Sequence, residues 1–90
     1  MKCYIITFEL ASIGNYVQLY NAIKTYRIWA RLTRSTWAIV TDQSVKHVRD
    51  HLGTYIYPND RIFVVKSGGA AAWRNIRASS QWLKKHLGYK

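Results

Sequence analysis

The strongest constraint on this chain is a spacing of apolar residues that switches between two and 3.6 and back, twice over, within its first 66 positions. Tyr4, Ile6, Phe8 and Leu10 alternate with Thr7 and Glu9, which predicts a first strand over residues 3–10. Residues 11–15 supply Ser, Gly and Asn as a loop. Tyr16, Leu19, Tyr20 and Ile23 then fall on one helical face, so a first helix runs from 15 or 16 to about 26. Ile28, Ala30 and Leu32 alternate with Trp29 and Arg31, a turn follows at Thr33, Arg34 and Ser35, and the β-rich run 36–41 completes a hairpin. A second helix opens at residues 42–44, with Asp42 as its N-cap; it carries Val45, Val48 and Leu52 on one face and closes at Gly53 as C-cap. Residues 54–60, with the single proline Pro58, form a loop before a fourth strand at 61–66.

The resulting order βαββαβ predicts an α+β, ferredoxin-like fold: an antiparallel sheet of order 4-1-3-2 with both helices on one face. Ser67, Gly68, Gly69 and the alanines up to Ala72 read as a hinge. Beyond it Trp73, Ile76, Ser80, Leu83 and Leu87 recur at spacings of three and four, while Arg74, Arg77, Gln81, Lys84 and Lys85 occupy another face. That pattern predicts an amphipathic basic helix over 73–87 capped by Gly88. The chain therefore divides into a ferredoxin-like unit, 1–67, and a hinge with a C-terminal helix, 68–90.

Ninety residues leave no room for a second cored domain, and a chain this small gains from a partner subunit that covers more of its apolar surface. No stretch reaches the ~18 consecutive apolar residues of a membrane span, and the N-terminal apolar run contains Glu9 and alternates, unlike a signal peptide. One cysteine excludes an intramolecular disulfide framework and points to a reducing compartment, the cytoplasm by default; Cys3 itself reads as core. Fourteen Lys and Arg against four Asp and Glu give a net charge of +10, a field suited to a polyanion, nucleic acid before an acidic membrane surface.

Several residues, taken in order, resemble the CRISPR-associated Cas-two superfamily in its SinR-like branch. They are Tyr4, the Thr7 to Leu10 end of the first strand, Tyr16, Leu19, Ala22, Ile23, Trp29, the run Ser35, Thr36, Trp37, then Asp60, and the pair Trp82 and Leu83. The resemblance covers most of the chain and implies a ferredoxin-like homodimer that handles nucleic acid. In nuclease-active relatives an aspartate at the end of the first strand binds a divalent metal near the dimer axis. The matching position here is Glu9, whose extra methylene moves the carboxylate. Relatives also add a final strand to the partner's sheet, where this chain reads as helix.

Metal-assisted phosphodiester cleavage needs carboxylates, and the chain has Glu9, Asp42, Asp50 and Asp60. The expected strand order gathers Glu9, Ser35, Thr36 and Asp60 at one end of the sheet. There Glu9 could hold Mg²⁺ or Mn²⁺, two copies of it meeting across a dimer, with Ser35 and Thr36 positioning phosphate or water. The competing readings are a Glu9 paired with an arginine, an Asp60 serving its turn, and an Asp50 solvated on a helix surface. His47 and His51 stand four apart on the second helix, but no third zinc ligand accompanies them, so both read as surface histidines. Neither a phosphate-binding glycine motif nor a local serine or cysteine triad is present.

The nucleic-acid signal rests on Arg27, Trp29, Arg31 and Arg34 around the hairpin and on Arg74, Arg77, Lys84 and Lys85 in the tail. Trp73 and Trp82 are interleaved there, Trp73 packing the tail helix down; Trp37 is a core residue of a central strand. Such cations read the phosphate backbone, with salt-dependent and largely sequence-independent affinity. The expectation is a binding module for DNA or RNA, a homodimer carrying twice the +10 of one chain, acting as adaptor or regulator. Two other classes remain open: a metal-dependent endonuclease, most naturally an endoribonuclease, built on Glu9, and a toxin or phage-type inhibitor that docks on a protein partner of CRISPR or toxin–antitoxin type.

Overall fold

Alternation along the first strand survives into three dimensions in the computed structural model, which describes residues 1–11 and 16–87. The elements are β1 (Lys2–Glu9), α1 (Tyr16–Ile23), β2 (Ile28–Arg31), β3 (Thr36–Thr41), α2 (Val45–Gly53), β4 (Arg61–Lys66) and α3 (Ser80–Leu87). The sheet is antiparallel in the order β2-β3-β1-β4, the ferredoxin-like arrangement. Tyr4, Ile6, Phe8 and Leu10 point to one face and join Leu19, Ile23, Trp37, Ile39, Val48 and Leu52 in the main core beneath α1 and α2. Ile6, Leu19, Ile23, Ile39 and Leu52 have no exposed surface, which is worth roughly 1.5–3 kcal/mol each relative to exposure.

The other face of β1 carries Cys3, which meets Ala38, Val40, Leu83 and Leu87 in a second core. Three layers result: two helices, the sheet, and the tail. The tail segment before α3 belongs to that second core, since Ala71, Trp73 and Ile76 all pack against it.

Four local expectations are corrected. The N-cap of α2 is Ser44, whose Oγ accepts from the His47 amide at 3.0 Å, and Asp42 instead lies 3.6 Å from the N-terminal ammonium. Gly53 is the last residue of α2, and Thr54 caps it with right-handed backbone, its hydroxyl donating to the His51 carbonyl at 2.7 Å. The tail helix is half the expected length. Asn75 takes a left-handed φ of 57°, Arg77 gives its amide to the Leu32 carbonyl at 3.0 Å, and a helix forms only after Ser79, whose Oγ accepts from the Trp82 amide. Trp73 and Ile76 thus reach the core from irregular backbone. The first helix also ends at Ile23, where Thr25 and Tyr26 tighten into bonds to Ala22 and Ile23. Asn15 as helix start and Gly88 as cap lie outside the described residues.

Candidate nucleic-acid interface

Antiparallel pairing sets Glu9 opposite Arg61 and Thr7 opposite Thr36, and the Phe8 amide donates to the Ser35 carbonyl at 3.1 Å. Glu9, Ser35, Thr36 and Asp60 therefore gather at one end of the sheet, as the strand order requires. The side chains of Glu9, Thr36 and Asp60, however, have structural partners. Glu9 is exposed and ion-paired through Oε1 with Arg61 Nη1. Asp60 accepts the Ala11 amide on Oδ1 at 2.7 Å and the Tyr57 amide on Oδ2 at 2.8 Å, so it fastens the segment leaving β1 to the turn before β4. Thr36 Oγ1 donates to Thr7 Oγ1 at 3.3 Å, and the Ser35 amide donates to Thr33 Oγ1 at 3.4 Å. Beside them an open cleft of about 190 Å³ is lined by Thr7, Phe8, Glu9, Arg61, Ile62 and Phe63.

This donor set does not fit Mg²⁺ or Mn²⁺ within one chain. The single carboxylate facing the cleft is Glu9, and its partner is a guanidinium. Among the described residues no group of three or more His, Cys, Asp or Glu could hold a metal ion. The two histidines of α2 part company: His47 is exposed, whereas His51 is half-buried, bonded through Nδ1 to the Tyr26 hydroxyl at 2.8 Å and edge-on to Tyr55. Burial pushes the Tyr26 hydroxyl and the Cys3 thiol up from their ordinary pKa values, a Ser67 hydrogen bond acting the other way on Cys3.

Of the basic residues, Arg31 is the one the fold uses internally. β2 pairs Arg31 with Trp37, which directs it onto the helix-covered face. Its guanidinium lies 4.7 Å from the Tyr20 ring centroid and 5.5 Å from that of Trp37, and Nη2 donates to the Tyr20 hydroxyl at 3.1 Å. The Tyr20 hydroxyl in turn donates to the Arg34 carbonyl at 2.9 Å, so the hairpin turn is tied to α1 while the Arg34 side chain stays exposed. The Arg77 amide bond to Leu32 then brings the tail to this hairpin, and Arg34 and Arg77 share one corner of the molecule. Arg74, Lys84 and Lys85 are exposed along the tail; Arg27 is exposed at the opposite end of β2.

Trp29 is 38% exposed, with Trp37 at 5.4 Å on its inner side and Lys24 Nζ 5.4 Å from its ring. Lys24 was not among the residues the sequence singled out, although its place three residues before Arg27 was a usable signal. Trp73 and Trp82 are both half-buried; Trp73 Nε1 donates to Ser80 Oγ at 3.2 Å and Trp82 packs on His86 at 4.4 Å. The acids sit elsewhere in bonds of their own: Arg49 with Asp50 at 2.7 Å, Arg61 with Glu9, the N-terminus with Asp42, and Asp60 on backbone amides. Among the described residues Arg27, Arg34, Arg74, Arg77 and Lys85 enter no ion pair.

No protein-family model matches the chain, and no curated protein does. Among solved structures it is similar to the crystal structure of a hypothetical protein, TT1823, from Thermus thermophilus. The two are 14% identical, with a TM-score of 0.68 over 82% of this chain and 90% of that one, a likeness of fold. No helix among the described residues is long and apolar enough to cross a membrane.

Proposed function

We propose that the protein is a small cytoplasmic nucleic-acid-binding module, a homodimer that grips the phosphate backbone as an adaptor or regulator and does not cut it. The observation that carries this reading is the corner where the Arg77 amide meets the Leu32 carbonyl. It gathers Arg34 and Arg77, exposed cations without acid partners, from parts of the chain 43 positions apart. Arg74 and the α3 lysines continue this basic surface along the tail, and Trp29 with Lys24 offers a partly exposed ring at the β2 edge. Phosphate contacts from such side chains give affinity that falls steeply with salt. Glu9 held by Arg61 speaks for gripping over metal-assisted cleavage. The order of elements and the excess of fourteen cations over four acids agree with the resemblance to the CRISPR-associated Cas-two superfamily.

The test is binding and cleavage of labelled double-stranded DNA and single-stranded RNA, with and without Mn²⁺, at two salt concentrations, alongside Glu9→Ala. Salt-sensitive binding with intact substrate is expected. Metal-dependent cuts that vanish in Glu9→Ala would make the protein a nuclease, and no binding at low salt would assign its charge to a protein partner.

A further inference from the structure

The tail covers one half of its sheet face and leaves the other half bare. Leu83 and Leu87 lie on Cys3, Ala38 and Val40, and the tail backbone reaches the end of β2 through Arg77. β4 receives no such cover. Phe63 is 60% and Val65 42% exposed, and both point to the tail's side of the sheet, since they pair with Thr7 and Ile5.

The backbone of β4 is equally open. Ser67 donates its amide to the Cys3 carbonyl, and antiparallel pairs alternate, so Phe63 and Val65 direct their N–H and C=O groups to β1. Those of Ile62, Val64 and Lys66 then face outward. A six-residue edge with four apolar residues between its terminal cations is a template for another strand.

We propose that the edge seats a second copy of the chain, two β4 strands pairing antiparallel about a two-fold axis at Val64 to fuse two sheets into one of eight strands. The proposal deepens the dimer of the reading above and rests on it. Hydrogen bonding requires that outward residues meet outward residues, and the register centred on Val64 engages all three. Ile62 then faces the partner's Lys66, and on the bare side Phe63 lies against the partner's Val65, an aromatic on a β-branched residue, with the reciprocal contact completing one apolar strip. On the helix side Lys66 falls diagonal to the partner's Asp60, an opposite charge. The tail cannot serve as occupant, because it already lies on the other half of the face. The strip is apolar between Arg61 and Lys66, which suits a polyanion poorly.

Two consequences distinguish this interface. Each copy carries +10, and Lys46, which flanks β4 on the α2 side beside the Arg49–Asp50 pair, is brought by the axis towards its own image. Dimerisation is therefore strengthened by salt, the opposite of nucleic-acid binding. The two copies of Glu9 also fall at opposite ends of the strand pair, so they do not form a shared carboxylate site.

The experiment is sedimentation equilibrium of the full chain over a wide concentration range at low and high salt. Amide exchange at Ile62, Val64 and Lys66 is followed alongside, with Val64→Pro and Phe63→Lys as variants. An outward N–H at an edge lets proline enter without breaking the β1 ladder, although Val64 also packs on the main core, and Phe63 is exposed; circular dichroism checks that each variant keeps the fold, Phe63→Lys carrying the test where Val64→Pro does not. Expected are a species of twice the 10.5 kDa chain mass, favoured by salt, and protection of those three amides that grows with concentration. Val64→Pro deletes the two bonds at the axis and weakens the dimer at least roughly 30-fold. A dimer that persists unchanged in both variants overturns the interface and leaves the dimer. A monomer at every concentration overturns both, while the grip on nucleic acid keeps its own assay. Protection that appears only when an extended peptide is added to a monomeric chain assigns the edge to a foreign strand and overturns the proposal as well.

Discussion

Arg31 and Arg34 are three residues apart and carry the same charge, yet the fold assigns them different work, and alanine at each separates the two. Arg31 stacks on Tyr20 and Trp37 and bonds to the Tyr20 hydroxyl. Two cation–π contacts at about 0.5–1 kcal/mol each and one hydrogen bond at about 1 kcal/mol give Arg31→Ala a cost of about 2 kcal/mol. For a domain of this size that lowers Tm by about 10 °C. Arg34 holds α1 only through its carbonyl, which the substitution keeps, so Arg34→Ala shifts stability by less than about 0.5 kcal/mol. Binding behaves the other way. If Arg34 neutralises one phosphate of a duplex, its loss reduces the slope of log affinity against log salt by about 0.9, and over a fourfold rise in salt the variant loses about 3.5-fold less affinity than the parent. Arg31→Ala leaves the slope unchanged. Thermal melts and anisotropy titrations at several salt concentrations read both quantities. An Arg31→Ala protein that melts normally but loses the same slope as Arg34→Ala would refute the assignment.

Glu9→Ala frees Arg61 and raises the net charge by one; nucleic-acid affinity at low salt should rise, and stability should change by less than about 1 kcal/mol because the pair is exposed. Reduced binding in the same titration would count against the gripping role. Asp60→Ala leaves the Ala11 and Tyr57 amides without their acceptor and should cost about 1–3 kcal/mol in urea unfolding, with Asp60→Asn recovering part of it. A shift under about 0.5 kcal/mol would mean that water replaces the carboxylate. Burial, and to a smaller extent Lys85, hold the His86 pKa in the folded protein below 6.5. The unfolded chain takes up that proton first as pH falls. Its contribution to stability is therefore lost downward through the window beneath 6.5 and is complete above it. Urea midpoints of His86→Gln should fall less with acidification than those of the parent; parallel curves would show that His86 is not depressed.

The strands were legible because one sheet face is packed under helices whose own spacing is regular: Tyr4, Ile6 and Phe8 meet Leu19, Ile23 and Leu52 where alternation and helical period both place them. The second face was only partly legible. Trp73, Ile76, Leu83 and Leu87 all pack against the second core, as their spacing indicates, but spacing says which residues face inward and not whether the backbone between them is helical. An amide from residue 77 to a carbonyl at residue 32 decided that, and such long-range bonds leave no local trace. Asp42 and Ser44 are both good caps; the helix begins at Val45, which places Ser44, not Asp42, at the cap position with its Oγ on the His47 amide. The sequence groups Arg31 with the phosphate-binding cations of the hairpin, and spacing alone does not show that its guanidinium stacks on Tyr20 and Trp37. With both faces of the sheet covered, neither alternating set points wholly to water: Arg31 lies against Tyr20 of α1, and Trp29 lies against Trp37 while remaining partly exposed.

The same two-sidedness bears on why a basic surface persists at the hairpin. A phosphate chain approaching that end of the sheet meets Arg34 and Arg77 first, then the hydroxyl-bearing starts of β3, then the Glu9–Arg61 pair, whose charges cancel. Had Glu9 stood alone, its charge would repel the backbone unless a cation bridged the two, which is how a metal-dependent site would begin. With Arg61 directly across the β1–β4 ladder, the register itself supplies the counter-ion. On the proposed reading, the strand register that sets Arg61 against Glu9 is what favours holding a nucleic acid over cutting it, and a variant that keeps Glu9 but removes its partner, Arg61→Ala, exposes the carboxylate that the present register neutralises.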